Sequence, residues 1–530
     1  MRITLYLLRD KAVLAKQTLR NHELYVEQRL VDPAEDVTGW LLFVRKSVEH
    51  RPNWFEHLQP IMMQEDAQRV TTKSAGAVLL VQAHGRLFAV TFGTGFHAVD
   101  AALLEPDFGL RVAANCIDYD GLTLADARGL GKGKRNATSR LAQPGEMFAL
   151  GLLTDEEWIR QFGGEVNIPG FAKSAKGADA LQLNIDDFNL FDLSAKLRQA
   201  LDLYEAETYR AIFPFLDYFR RESDKETIKK LDGLMAESMR ARDPEIGFAL
   251  PDEFDLVADR YVLSRYRKHV LLAELRTEDV YAAIDEVNGW RDPLNSIKVV
   301  ALDLDGNEVR PKEPLRKYVV GAARLEVDGG HRDYATTAGQ WFRVDLEYAE
   351  IVDRYLQDNV PDVTDQLDLP KWDDDFLKAN VEGKYGEDRY NRYSCDQLGH
   401  GLLDRDFYRG RAGEQVEICD QLTPAKQLVC VKRMDGSDKM SHLFQQGSVS
   451  ASLIMTNDAY RAKLMAKLRE LVADAEFGNA TEWTIVYAVA TSKGGNLKDI
   501  MPFFSRAALR MHSIAIKATG IKVAVAKIDR

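Results

Sequence analysis

The chain has 530 residues, of which 45% are hydrophobic and 29% charged, and its formal net charge is -12. That length exceeds what one core supports and predicts about two to four domains of an ordinary soluble globular protein. The acidic balance excludes wholesale coating of nucleic acid and leaves local patches to decide any electrostatic role.

The longest apolar runs, such as AGAVLLV and TIVYAVA, fall far short of the roughly 20 residues that span a bilayer. The N-terminal MRITLYLLRDK lacks the apolar stretch and cleavage site of a signal peptide, so a cytoplasmic protein with no membrane segment of its own is expected. Cys116, Cys395, Cys419 and Cys430 show no CxxC pairing and no histidine at metal spacing, which predicts reduced, buried thiols.

Residues 1–190 read as a strand-rich α+β domain, with ITLYLL, GWLLFVRK, GAVLLVQ and RLFAVTFG as strands. AVLLVQAHGRLFAVTF is a hairpin turning at His84 and Gly85. His57, His84 and His97 stand in unrelated contexts and read as packed or exposed histidines. FGTGFHAVD lacks the third glycine of a dinucleotide fingerprint and reads as a turn.

In DARGLGKGKRNATSR, from Asp126 to Arg140, basic residues are spaced by glycines in a predicted loop. It is not a P-loop, but Lys132, Lys134 and Arg135 on such a loop are candidate phosphate contacts, against a plain solvated loop.

Residues 191–245 form a helical segment by their three- and four-residue apolar spacing, and the aromatic stripe of YRAIFPFLDYFRR reads as core. Residues 246–346 mix a helix around Val280 to Val287 with the strands SIKVVALDL, RKYVVGAARLEV and QWFRVDL. Asp303 and Asp305 in LDLDGNEV lack the twelfth-position glutamate of a calcium loop and read as a turn between strands. Residues 347–383 are an acidic connector, and residues 384–530 an α/β domain.

In that last domain the stretch from Gly413 to Gly447 places carboxylates, a lysine and amides on two adjoining strands and a helix. VEICD and QLVCVKR alternate apolar and polar residues around the turn TPAK, so a hairpin is expected. Val429 and Val431 then share one face and Lys432 takes the other, with Asp420 near it across the ladder. The order helix, three strands, helix, strand follows, with a further helix and strand at the end.

An αβββαβ core with Asp420 on its second strand, Lys432 on its third and a glutamine-bearing helix after them resembles the restriction-endonuclease-like PD-(D/E)XK nucleases. The resemblance implies that Asp420 holds a divalent metal, Mg2+ by its preference for hard oxygen ligands. It also implies that Lys432 stabilises the charged phosphorus centre, that Glu387 joins from the first helix, and that Gln445 or Gln446 takes the helix glutamine position. Cys430 stands two residues before Lys432, where the motif has Asp or Glu. A thiol is a poor magnesium ligand, so Glu417 or Glu387 takes over the role or the site is dead.

A second resemblance spans nearly the whole length. RPNWFEHL, RLFAVTFGTGFHAVD, FGLRVAANCID, QWFRVD, SHLFQQGSVSA and PFFSRAALR look like signature segments of a sporadically distributed, uncharacterised family of large bacterial proteins. Such a distribution implies phage defence.

Over residues 461–530 the basic side chains outnumber the acidic ones, twelve to six by count along the chain. With Arg433, the residues Arg506 and Arg510 are therefore candidate nucleic-acid contacts, against solvated helix faces as the plain alternative.

The expectation is a multidomain α+β protein that binds nucleic acid, DNA favoured over RNA, and cleaves it with magnesium. The alternatives are a non-catalytic module for nucleic acid or a phage protein on a degenerate nuclease fold, and a structural or assembly protein. A homo-oligomer or a defence-protein partner stays open.

Overall fold

The computed structural model describes the chain except residues 32–36, 47–74, 131–135, 151–156, 244, 250–259, 303–307, 309–311, 328, 404–406, 410–414 and 435–436. The segments RPNWFEHL with His57, the cations Lys132, Lys134 and Arg135, and the pair Asp303 and Asp305 lie outside the described residues. The protein is mixed α+β with several antiparallel sheets. Two compact units divide it, one of Met1–Arg128 and Asn136–Leu216, the other including Asp217–Arg530.

The first unit is built on one ten-stranded sheet. Its strands in chain order are β1 (Arg2–Leu7), β2 (Tyr25–Gln28), β3 (Val37–Arg45), β4 (Gly76–Ala83), β5 (Arg86–Gly93), β6 (Leu122–Gly129), β7 (Asn136–Gly145), β8 (Glu157–Glu165), β9 (Ser174–Gly177) and β10 (Leu181–Asn184). Their spatial order is β2-β3-β4-β5-β1-β10-β9-β8-β6-β7. β4 and β5 are joined by His84 and Gly85 at φ 53° and 76°, the positive angles that a two-residue hairpin turn needs. Helices α1 (Phe108–Cys116) and α2 (Leu193–Glu205) complete the unit.

The glycine-spaced basic segment expected as a loop differs from that expectation. Asp126 and Arg128 lie on β6 and Arg140 on β7, paired Asp126 to Thr138 and Arg128 to Asn136. Gly and Lys punctuation hid the strands, because ladder pairing and burial of Arg128 outweigh the low strand propensity of those residues.

In the second unit β11 (Phe219–Arg221), α3 (Lys225–Arg240), β12 (Gly247–Phe248), β13 (Arg260–Arg265), β14 (Lys268–Leu272), α4 (Thr277–Glu286), β15 (Lys298–Leu302), β16 (Glu313–Pro314), β17 (Val319–Val327), β18 (Gly330–Thr337) and β19 (Gln340–Val344) come first. They form a five-stranded sheet ordered β11-β19-β18-β17-β12 and a four-stranded one ordered β14-β13-β15-β16. One core joins them, with Leu231, Met235, Val280, Ile284, Val299 and Trp341 in it.

The acid-rich stretch after β19 is folded into α5 (Leu346–Asn359), α6 (Thr364–Leu367) and α7 (Asp374–Asn380). Asp345 and Asp373 cap α5 and α7 through the backbone amides of their first turns, as carboxylates at a helix N-terminus do. Val352, Leu356, Trp372 and Leu377 are buried.

The C-terminal part comprises α8 (Gly386–Leu398), β20 (Gly401–Leu402), β21 (Phe407–Arg409), β22 (Gln415–Glu417), β23 (Gln421–Leu422), β24 (Gln427–Arg433), α9 (Ser437–Thr456), α10 (Asp458–Leu471), β25 (Thr484–Thr491), α11 (Leu497–Ile500), α12 (Phe503–Lys517) and β26 (Lys522–Asp529). Its sheet is ordered β20-β23-β24-β25-β26. β23 is antiparallel to both neighbours, whereas β24, β25 and β26 run parallel. Parallel strands need both faces covered, and β25 and β26 are accordingly rich in buried Val, Ile and Ala.

One face, including Val429, Val431, Val486 and Ala526, packs with Trp372 and Tyr390. On the other face Tyr487 donates to the Phe444 carbonyl of α9 at 2.8 Å. Gly447 permits this approach, since an added Cβ would collide with the Tyr487 hydroxyl. No helix among the described residues is long and apolar enough to cross a membrane.

Candidate functional site: a polar seam between α8 and the β23–β24 hairpin

Helix α8 opens with Glu387 and Asp388 in its first turn, where the helix dipole favours carboxylates, and ends at Gly399 in the left-handed region. Glu387, Asn391 and Ser394 recur at intervals of four and three, so they lie on one side of the helix. That stripe faces the hairpin.

The hairpin pairs Gln421 with Val429 and Leu422 with Leu428, and Lys426 turns the chain with φ 61°. Asp420, just before β23, is 8% exposed. Its Oδ2 accepts the Val431 amide at 2.7 Å and its Oδ1 accepts from Asn391 Nδ2 at 3.4 Å. Lys432, the next residue on β24, donates to Glu387 Oε2 at 2.9 Å. Two carboxylates, one from the first helix and one from the second strand, therefore meet consecutive residues of the third strand.

Beneath them lies a closed polar network. Gln421 Nε2 donates to Asn391 Oδ1 at 3.2 Å, and Ser394 Oγ donates to Gln421 Oε1 at 3.2 Å. His400 Nδ1 lies 3.2 Å from the same oxygen, which requires that nitrogen to carry the hydrogen. Asn391, Ser394 and Gln421 are fully buried. Burial lowers the pKa of His400, partly opposed by its bond to Gln421, so the ring is neutral at neutral pH. Such a network fixes the depth and register of α8 against the hairpin, because any slip would bury unpaired amides.

Asp388 accepts the Lys384 amide and the Arg392 guanidinium, both local to its own helix end. Beside the seam, Asp374 receives Trp372 Nε1 and Arg530, and Arg433 lies over the Trp372 ring at 5.6 Å. Burial pushes the Asp374 pKa up, but the bonds from Trp372 and Arg530 and the charge of Arg433 outweigh it and hold the carboxyl below its usual value.

The donor set for a metal is narrow. Among the described residues no group of three or more His, Cys, Asp or Glu side chains is placed to hold one. Asp420 and Glu387 remain as a two-carboxylate set, and magnesium is commonly held by one or two carboxylates together with substrate phosphate. The residues present fit the ion in this limited sense.

The other residues singled out from sequence fall differently. Glu417 sits on β22, which pairs with β21 in a separate two-stranded sheet, and its side chain lies outside the described residues. Gln445 is exposed on α9, and Gln446 is half-buried with its amide nitrogen unpartnered among the described residues. Cys430 is fully buried, so the acidic slot is occupied by a core thiol.

The candidate phosphate contacts are engaged within the fold to different extents. Arg506 is 6% exposed and ion-paired to Asp353 and Asp333, so it is a structural cation rather than a surface contact. Arg510 is half-buried against the Tyr355 ring, and Arg433 is paired with Asp374. Much of the C-terminal basic excess is engaged in the same way. Lys498 and Lys517 bond the last carbonyls of α5, Lys527 pairs with Asp529, and Arg530 with Asp374. Charge counting could not see this, because it registers sign and not partner.

Asn391, Ser394, Gln421 and His400 were missed by the sequence reading. The polar i, i+4, i+7 stripe of α8 was the available signal.

A search among curated proteins returned no match. The family model described as Family of unknown function (DUF6119) matches residues 3–529, nearly the whole length, and the chain belongs to that family.

Proposed function

We propose that this is a cytoplasmic bacterial nucleic-acid-binding protein of the phage-defence type, whose C-terminal sheet is a restriction-endonuclease-like framework acting on phosphodiesters with magnesium. The observation that carries the reading is the meeting of Glu387 and Asp420 at Lys432 and Val431. A strand order in which the second strand is antiparallel and the next three run parallel supports it. The sporadic distribution implied by the family resemblance supports the defence setting.

In this reading Asp420 and Glu387 present hard oxygens to the ion, and Lys432 donates to a non-bridging phosphate oxygen as negative charge builds there. Magnesium supplies charge neutralisation and a lowered water pKa when bound. The fixed amides of Asn391 and Val431 orient the Asp420 carboxylate, and the resting Glu387 to Lys432 pair must open for substrate.

A second reading follows from Cys430. With a buried thiol in the acidic slot and the basic flank engaged internally, the same framework would bind without cleaving. Purified protein incubated with plasmid, single-stranded DNA and RNA, with magnesium or manganese, separates the two. The first reading predicts metal-dependent cleavage that Lys432→Ala abolishes. Metal-independent binding that survives Asp420→Asn, with no cleavage by the wild type, selects the second.

A further inference from the structure

The ten-stranded sheet of the first unit carries a polar hollow that shares no residue with the seam. It has a volume of about 200 Å³ and is lined by Arg2, Gly163, Ser174, Lys176, Gln182 and Asn184 among others. The strand register explains the grouping. Arg2 stands opposite Asn184 and Asn184 opposite Ser174, while Gln182 stands opposite Lys176 and Lys176 opposite Gly163. Residues directly opposed in an antiparallel ladder, and those two apart on one strand, share a face. Two adjacent polar rows therefore lie side by side across β1, β10, β9 and β8, with Glu165 at the exposed end of one.

Gly163 keeps the space beside Lys176 open, because a Cβ there would lie 3.4 Å from the Lys176 Cβ. A glycine inside a strand often marks such a close approach. Among the described residues neither the Lys176 ammonium nor the Arg2 guanidinium has a hydrogen-bond or ion-pair partner. Burial first, and then the positive charges of Arg140, Arg2 and Arg160, lower the Lys176 pKa, and Asp126 opposes them. Asp126 is itself ion-paired with Arg160. The hollow thus holds an excess of positive charge lined by hydroxyl and amide groups.

We propose that this hollow is an anion site for the phosphate group of a small phosphorylated ligand. Arg2 and Lys176 supply the charge, and Ser174, Gln182 and Asn184 the neutral donors. A guanidinium fork and an ammonium converging on one oxyanion suit a phosphate head. The volume suits that head with its first substituent, since whole drug-sized ligands occupy roughly 300 Å³ or more.

The test is calorimetric titration of the full chain with inorganic pyrophosphate at neutral pH. Wild type is expected to bind. Lys176→Met is expected to bind about tenfold more weakly or worse. Lys229→Met, an exposed lysine of α3, is expected to match wild type, and thermal unfolding of each variant checks that it folds. A wild type that does not bind overturns the proposal, as does a Lys176→Met variant that binds with unchanged affinity. Competition with short oligonucleotides identifies the source of the phosphate. Displacement by a 5′-phosphorylated but not a 5′-hydroxyl strand assigns it to nucleic-acid ends, and displacement by neither assigns it to a free metabolite.

Discussion

Asp420 carries two duties at the residue scale, and they can be separated. Its carboxylate satisfies the Val431 amide and Asn391 in a site of 8% exposure. Asp420→Ala would leave both donors buried and unpaired, a loss of about 1–3 kcal/mol measurable by denaturant unfolding. Asp420→Asn keeps an acceptor and is expected to lose clearly less stability while losing metal-dependent activity. Arg506 behaves differently. Its removal takes one of two cations from Asp333, which keeps Arg324, and the paired cation from the more exposed Asp353, so Arg506→Ala is expected to cost about 1–3 kcal/mol, whereas its loss by itself changes no surface charge that nucleic acid could reach. An unfolding curve within error of wild type for Arg506→Ala would sink that assignment.

At the element scale the polar stripe of α8 decides how the helix docks, and His400 makes the docking pH-sensitive. Its pKa in the fold is lowered by burial, so below about pH 6.5 the unfolded chain binds the proton more readily than the folded one. Stability therefore falls as pH drops from that value through the lowered folded pKa, and it is fully present above it. His400→Gln is expected to flatten that part of a Tm-against-pH profile. An unchanged slope in the variant would remove His400 from the account.

Elements with a strong period were legible in the sequence: the β4–β5 hairpin and the strand β24 stand where alternation placed them. Two were not. The first two of the three strands expected before the glutamine-bearing helix, VEICD being the second, are instead four short strands in two sheets, β20 to β23. The break after Glu417 lets Asp420 turn its carboxylate back onto the Val431 amide, and no periodicity encodes such a tertiary bond. The β6–β7 pairing was hidden by glycine-spaced cations, because the ladder that holds Asp126 opposite Thr138 and Arg128 opposite Asn136 leaves no periodic signal in the sequence.

At the scale of the whole molecule, net charge of -12 and a basic flank engaged in internal pairs set the terms for any nucleic-acid complex. In the proposed reading, phosphate neutralisation at the seam rests on a few side chains, Lys432 first among them. The expected salt dependence of DNA binding is shallow, with a log-log slope of roughly -2. A slope of about -6 or steeper would reveal a basic surface elsewhere. Strand and helix periods foretold the mixed α+β class, but the location of charge partners is a property of the packed molecule. For the same reason the Glu387 to Lys432 pair could be expected only as a resemblance, since the two residues are 45 positions apart.

The central claim is that Glu387, Asp420 and Lys432 form one phosphodiester-processing site. Its most direct test is the single-turnover cleavage rate of a labelled DNA duplex with magnesium, compared between wild type and a folded Lys432→Ala variant. The account predicts cleavage by wild type and a rate lower by about 10²–10³ in the variant, the scale of removing one charge-stabilising donor. Equal rates in the two proteins, or no cleavage by wild type with any divalent metal, would contradict it.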